Sequence, residues 1–223
     1  FAKYLPEENT GAKVLVAGMG PAGFTLAHYL LNEGHIVVGV DGLKIEPLAE
    51  FLYQPIREVD KLFEELDERV IGGFGGVMEY GITNRWNKNF LLLIRLLLER
   101  RANFKLFGGI RFGSNIIPKQ AFEMGFQHVA LALGAGKPRL LSLPDGMAKG
   151  VRTASDFLMS LQLGKAYEKD SLTNLQMRMP AVVIGGGLTA LDTATEVLAY
   201  YPELVKKFSS NYKGDPLNEE AQE

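Results

Sequence analysis

The sequence predicts an α/β protein built on a parallel sheet, and two kinds of pattern carry this prediction. Short apolar runs are continuous and rich in β-branched residues, which is typical of strands in a parallel sheet covered on both faces. Two of these runs lead directly into a glycine-rich turn that opens a helical pattern, at 18–23 and again at 185–190. Strand–turn–helix units of this kind build a Rossmann-like sheet. We therefore expect one such sheet and the start of a second.

The first unit follows an unpatterned lead-in, residues 1–10. Lys13 to Ala17 has the composition of a buried strand, and Phe24 to Asn32 has the apolar spacing of a helix. Ile36 to Val40 is a second apolar strand, and Asp41 follows it directly. Together these elements form one βαβ unit.

The turn between that strand and that helix has the pattern G-x-G-x-x-G, formed by Gly18, Gly20 and Gly23, with Pro21 and Ala22 inside it. The first glycine permits a tight turn and the second lets backbone approach a pyrophosphate. The third lets the helix pack closely on the strand, and the phosphates then sit at the helix N-terminus. The pattern predicts a dinucleotide site.

Asp41 stands 23 residues after Gly18, at the end of the next strand. A carboxylate at this place accepts both hydroxyls of an adenosine ribose, and an acidic residue favours a ribose without a 2′-phosphate. Two other interpretations stay open, a glycine-rich turn in a nucleotide-free domain and the S-adenosylmethionine-binding form of the same turn. The second glycine turn argues against the latter.

The second turn consists of Gly185, Gly187 and Ala190, with Thr189 inside it, and it follows the apolar run 181–184. Alanine in the third place is an accepted variant of the pattern. Two such turns in one chain indicate a protein that handles two dinucleotides.

The remaining patterns predict five further elements. They are a charged helical insertion over 45–69 broken near Pro55, a helix over 87–101, one or two strands over 104–112, a buried strand over 127–133, and a helix over 153–163 capped by Thr153 or Ser155.

The expected organisation is a first nucleotide-binding domain over 11–150, a connection over 151–178, the incomplete start of a second domain over 179–200 and a polar tail over 201–223.

Composition and charge argue against several classes of function. The 223 residues hold 24 Lys and Arg against 26 Asp and Glu, without long blocks of one sign, so no nucleic-acid partner is expected. The longest apolar stretch, 90–98, is about half of a membrane span, so no membrane partner is expected either. The chain has no cysteine, and its three histidines lack metal-ligand spacing, so no metal site is expected. Because it begins with Phe1, we expect a piece of a longer, cytoplasmic protein.

Five motifs stand in a characteristic order along the chain: GMGPAG at 18–23, GGVMEYGIT at 75–83, LALGAGKPR at 131–139, GVRTASDFL at 150–158 and VVIGGGLTALDTA at 182–194. In this order the chain resembles the flavoprotein subunit of glutamate synthase and its relatives in the pyridine nucleotide-disulfide oxidoreductase superfamily. The resemblance implies that the first turn and Asp41 bind FAD and that the second turn binds NAD(P)H. It also implies hydride transfer from NAD(P)H to FAD, and electron delivery to an acceptor subunit or domain that contains an iron–sulfur centre or FMN.

The resemblance also implies further cofactor-binding residues. The loop that runs along the flavin matches Gly75, Gly76, Tyr80, Gly81 and Ile82.

A backbone contact to the adenine matches Ile110, and Gly134 falls in the segment that returns to the cofactor. Two positions depart from the family pattern: Thr83 replaces a proline, and Leu188 replaces an asparagine that helps to hold the pyrophosphate of the second dinucleotide.

The function that the resemblance implies is that of an FAD-dependent NAD(P)H oxidoreductase. Because the cofactor carries the chemistry in such enzymes, no catalytic acid or base is expected among the residues. The alternative is a non-enzymatic dinucleotide-binding or interaction module that keeps the glycine turns and docks through the insertion 45–69. Leu188 and the incomplete second domain favour that alternative.

Overall fold

The computed structural model describes residues 7–63, 74, 88–135, 138 and 140–212. The chain divides into two compact units, the first formed by Phe1–Glu79 and Trp86–Lys137 and the second by Tyr80–Arg85 and Pro138–Glu223.

In chain order the described elements are β1 (Lys13–Ala17), α1 (Pro21–Asn32), β2 (Ile36–Val40), two 3-10 turns (Glu50–Tyr53 and Val59–Leu62), α2 (Asn89–Glu99), β3 (Phe104–Phe107), α3 (Pro118–Glu123), β4 (His128–Leu131), α4 (Ala154–Gln162) and α5 (Leu188–Tyr212).

The first unit contains a parallel sheet of four strands in the order β3-β2-β1-β4, which confirms the predicted α/β class. Ala17 pairs with Val40 on one side and with Leu131 on the other, and Val40 pairs with Phe107, so the four strands end level at one edge. The chain steps from β1 through β2 to β3 and then crosses to the other side of β1. The strand order thus reverses at β1, and open α/β sheets bind their ligands at the carboxyl ends of the strands beside such a switch point.

Both faces of the sheet are covered, which explains why its strands are continuously apolar. Val14 and Val16 of β1 belong to a buried cluster with residues of α1 and α2. Leu15 and Ala17 point to the other face and belong to a cluster that includes Ala121 of α3. Alternate residues of one strand thus enter two separate cores, as the parallel arrangement requires.

The insertion over 45–69 differs from the predicted charged helix. Only the two short 3-10 turns form between residues 45 and 63, and 64–69 lie outside the described residues. Several carbonyl groups of the insertion accept hydrogen bonds from arginine side chains at α2, where a helix would supply backbone N–H groups of the insertion itself. Arg95 Nη2 donates to the carbonyl of Glu46 at 2.9 Å, and Arg100 donates to the carbonyls of Leu52 and Gln54.

The described part of the second unit contains two helices, α4 and α5, and no strand. Thr153 caps α4, because its side-chain oxygen accepts from the N–H of Asp156 at 3.2 Å, as the sequence predicts. α4 and α5 share an apolar core, and Tyr200 is buried in it with its hydroxyl donating to the carbonyl of Leu175 at 3.0 Å.

Two expectations for this unit are wrong. Ala181–Ile184 does not form a strand, and the side chains of Val182 and Ile184 are 87% and 67% exposed. A strand needs a neighbour to satisfy its backbone groups, and the described residues of this unit contain no other strand. The chain after residue 200 is also not a tail from its start, since α5 continues to Tyr212 and Leu204 is buried.

Candidate nucleotide-binding site

The first glycine turn lies at the carboxyl end of β1, and its geometry requires glycine at two places. Gly18 has a φ of +94° and donates its N–H to the carbonyl of Val40 at 2.8 Å. A Cβ on Gly18 would lie 2.2 Å from the carbonyl oxygen of Ala132. A Cβ on Gly23 would lie 1.8 Å from the carbonyl oxygen of Gly18. The turn is therefore tight, and the start of α1 is in backbone-to-backbone contact with the end of β1.

The N-terminus of α1 is built to receive an anion. Gly20 is its N-cap and provides no side-chain cap, while Pro21 takes the first helical position and Ala22 the next. The first turn contains no acidic residue. The leading N–H groups of a helix have no intrahelical acceptor and carry the positive end of its dipole. With no side-chain cap in the way, this end fits a pyrophosphate.

Asp41, at the end of β2, is bonded to the glycine turn. Its Oδ2 accepts from the N–H of Met19 at 2.8 Å, and its Oδ1 accepts from the N–H of Leu43 at 2.9 Å. An ionised carboxylate offers about four lone-pair positions, so both oxygens keep capacity for the hydroxyls of a ribose. Sequence reasoning found Asp41 but missed that it also fixes the turn.

The other two described residues predicted for this site lie along the same edge. The N–H of Ile110 donates to the carbonyl of Asp41 at 2.9 Å, which holds the segment after β3 beside the end of β2. Gly134 follows β4 with a φ of +69°. The structure thus brings residues that follow all four strands to the switch-point edge.

The predicted flavin loop is not described. Gly75, Gly76, Tyr80, Gly81 and Ile82 all lie outside the described residues.

One residue near the site was not predicted. The side chain of Arg111 packs against the backbone of Gly42. A Cβ added to Gly42 would lie 3.5 Å from the Nε of Arg111 and 3.8 Å from the Cβ of Arg111. The only sequence signal for it is the glycine that directly follows Asp41, and no local pattern connects residue 42 with residue 111.

The second glycine turn leads into a helix as predicted, but its geometry differs from that of the first. Gly185 has a φ of +142°, and the N–H groups of Ala190 and Leu191 donate to the carbonyl of Gly187. Thr189 lies in the first turn of α5. Gly185 is the counterpart of Gly18, and a Cβ on it would lie 3.3 Å from the Cβ of Ala190. Among the described residues, Gly185 therefore lacks the backbone contact at 2.2 Å that makes glycine necessary at position 18.

Farther along α1, His28 forms a polar cluster with Asn32 and Arg101. Arg101 Nη1 donates to Asn32 Oδ1 at 2.8 Å, and the amide nitrogen of Asn32 lies 3.2 Å from His28 Nε2. Burial lowers the pKa of His28, and the positive charge of Arg101 lowers it further.

The described residues contain neither a metal-binding cluster nor a membrane-spanning helix. No group of three or more His, Asp or Glu side chains is arranged to hold a metal ion there, and no helix in that part is long and apolar enough to cross a bilayer.

Comparison with known proteins gives one family match and several relatives. Residues 12–206 match the family model of the pyridine nucleotide-disulphide oxidoreductases. An uncharacterized protein of Rickettsia prowazekii (strain Madrid E) is 52% identical over 219 residues, which cover 98% of this chain and 31% of that protein. The small chain of NADPH glutamate synthase of Bacillus subtilis (strain 168) is 28% identical over 221 residues, covering 95% of this chain and 38% of that one.

More distant matches were also found. The NADH glutamate synthase of Schizosaccharomyces pombe is 28% identical over 196 residues, which cover 84% of this chain and 8% of that protein. Among solved structures, 6-hydroxypseudooxynicotine amine oxidase from Pseudomonas geniculata N1 aligns with a TM-score of 0.43 and 21% identity, covering 69% of this chain and 20% of that chain. The chain therefore spans between 8% and 38% of the length of each of these proteins.

Proposed function

Since the chain belongs to the pyridine nucleotide-disulphide oxidoreductase family, as its motifs indicated, we propose that it forms the FAD-binding part of an NAD(P)H oxidoreductase. The observation that carries this proposal is the arrangement at the switch point. There an uncapped helix N-terminus and a carboxylate bonded to the glycine turn at 2.8 Å lie at adjacent strand ends. Phosphate and ribose are joined in a dinucleotide, and these two groups recognise the two parts.

Each residue of the first site has a task in this proposal. The backbone of Gly20, Ala22 and Gly23 binds the pyrophosphate, and Asp41 accepts from the hydroxyls of the adenosine ribose. The backbone of Ile110 contacts the adenine. Hydride transfer is the chemistry that the flavin supplies when bound, so the protein positions the cofactor and excludes water.

Two further regions complete the proposal by family analogy. The loop of Gly75, Gly76, Tyr80, Gly81 and Ile82 runs along the flavin.

The second turn, with Gly185, Gly187, Thr189 and Ala190, begins the binding domain for the nicotinamide dinucleotide. Electrons then pass to an acceptor subunit or domain, and we place the whole protein in the cytoplasm. Because the chain contains no cysteine, a dithiol within these 223 residues cannot be that acceptor.

The test is a visible absorption spectrum of the full-length protein purified with FAD added, followed by anaerobic additions of NADPH and NADH in separate samples. We expect flavin bands that one of the two nucleotides bleaches, which would also identify the donor. A full-length protein that retains no FAD would refute the proposal.

A second candidate function is a dinucleotide-binding module without enzymatic activity. The second turn favours it, because the residues before it, Ala181–Ile184, form no strand on which the helix of a dinucleotide-binding turn could pack. Bound FAD that neither nucleotide reduces would support this candidate over the oxidoreductase.

A further inference from the structure

Arg111 lies at the carboxyl end of β3, next to the site proposed for FAD. The N–H of Ile110 donates to the carbonyl of Asp41, so Arg111 follows a residue that is tied to the end of β2. Its side chain lies across Gly42, with Nε 3.5 Å from the position of a Cβ on that glycine. Arg111 thus borders the loop that presents the ribose-binding carboxylate.

The backbone of Arg111 is fixed, whereas its charged group is not engaged. Its N–H donates to Asn115 Oδ1 at 2.9 Å, and its carbonyl accepts from the N–H of Asn115, also at 2.9 Å. The side chain is exposed, and within the described part of the chain no hydrogen bond or ion pair reaches the guanidinium. The guanidinium therefore extends from a fixed backbone and, among the described residues, has no partner that a ligand would have to displace.

The order of groups along the sheet edge determines which part of the ligand Arg111 faces. The pyrophosphate site belongs to α1 after β1, and the ribose site is Asp41 after β2. β3 lies on the far side of β2 from β1. In an adenine dinucleotide the ribose lies between the pyrophosphate and the adenine, so the adenine extends from Asp41 toward the end of β3.

We propose that the Arg111 guanidinium stacks on the adenine ring of the bound dinucleotide and anchors that end of it. This inference rests on the proposed FAD site. A guanidinium is planar and weakly hydrated, and it stacks readily on aromatic faces. Gly42 presents no side chain between Arg111 and the ribose-binding residue.

The test compares the full-length protein with its Arg111→Gln variant, after removal of bound flavin. Binding of FAD, ADP and inorganic pyrophosphate is measured by titration. We expect the variant to bind FAD and ADP about two- to fivefold more weakly, because an exposed cation–π contact contributes about that factor. We expect pyrophosphate affinity to stay the same, since that probe has no adenine.

Arg57→Gln is the matched control, because it removes the same charge from another exposed arginine of the first unit. The preceding segment is bonded through the carbonyls of Leu52 and Gln54 to Arg100, close before the amino end of β3. This segment therefore lies at the edge of the sheet opposite to the site. The Arg57→Gln variant should bind FAD with the same affinity as the unmodified protein.

Three outcomes would contradict the inference. Equal FAD and ADP affinities for the Arg111→Gln variant and the unmodified protein would show that Arg111 does not contact the dinucleotide, while the proposed function stands. A matching loss of pyrophosphate affinity would show that the residue acts by charge on the phosphates and not by stacking. An unmodified protein that does not bind FAD would refute the proposed function, and this inference with it.

Discussion

Replacing Gly23 with alanine tests whether close backbone contact shapes the first glycine turn. The new Cβ would lie 1.8 Å from the carbonyl oxygen of Gly18, whereas real Cβ atoms essentially never come closer than 3.0 Å. Because the obstacle is backbone, α1 must move away from β1. Overpacking of this kind costs about 1–3 kcal/mol, and alanine recovers up to about 1 kcal/mol through its helix propensity. We expect the free energy of unfolding to fall by about 1–2 kcal/mol.

Under the proposed function, the same shift would withdraw the leading N–H groups of α1 from the pyrophosphate of bound FAD. Loss of about 1.4 kcal/mol of hydrogen bonding is a factor of ten, so the affinity for FAD should fall at least about tenfold. Urea unfolding without FAD and titration with FAD measure the two effects separately. Gly186→Ala is the control, because a Cβ there would meet no atom of the described residues within 4 Å. If Gly23→Ala unfolds and binds FAD as the unmodified protein does, the close-contact argument is wrong.

Three further substitutions test other parts of the first unit. Asp41→Asn turns an amide N–H₂ toward one of the two backbone N–H groups that the carboxylate now binds. It also removes the negative charge that the proposed function assigns to the ribose. Titration should show about tenfold weaker FAD binding, and unchanged affinity would mean that the ribose binds elsewhere. Glu99→Gln leaves the buried guanidinium of Arg95 without its ion-pair partner and should cost about 3 kcal/mol in urea unfolding, against less than about 1 kcal/mol for the exposed-pair control Glu123→Gln. Equal losses in the two variants would contradict this reading of the buried pair. Burial lowers the pKa of His28, so the folded state binds fewer protons than the unfolded chain and stability falls as the pH drops below about 6.5. The urea midpoint of His28→Gln should therefore fall less than that of the unmodified protein between about pH 7.5 and pH 5.5, and an equal fall would assign the effect to other groups.

The first two strands, β1 and β2, could be predicted to the residue because local sequence determines them, whereas β3 and β4 are shorter than the predicted 104–112 and 127–133. The observed β1, Lys13–Ala17, and β2, Ile36–Val40, have the predicted bounds, since continuous apolar runs bounded by glycine and polar residues leave few alternatives. The positions of Gly18 and Asp41 follow, because each residue directly continues a strand. The family resemblance was also visible, because its motifs are short and keep their order.

The features that could not be predicted depend on side chains that meet across long separations in sequence. Arg95 donates to the carbonyl of Glu46, 49 residues away in sequence, and so occupies a carbonyl that a helix over the insertion would use itself. The run at 181–184 has the composition of a strand, but strand formation depends on a neighbour that local sequence does not reveal. For the same reason no pattern indicated that Arg111 lies across Gly42.

Gly18 and Asp41 are 23 residues apart in sequence. The length of α1 and the register of β2 together determine this spacing, and they also determine the geometry of the site. α1 has 12 residues and is about 18 Å long, and five-residue strands such as β1 and β2 span about 16 Å. The helix therefore returns the chain to the amino edge of the sheet just where β2 must begin to pair in register, with Ala17 opposite Val40. That register places Asp41 within 2.8 Å of the N–H of Met19. Moving the register of β2 by one residue would turn the carboxylate to the other face of the sheet, so the length of α1 and the position of Asp41 cannot vary independently.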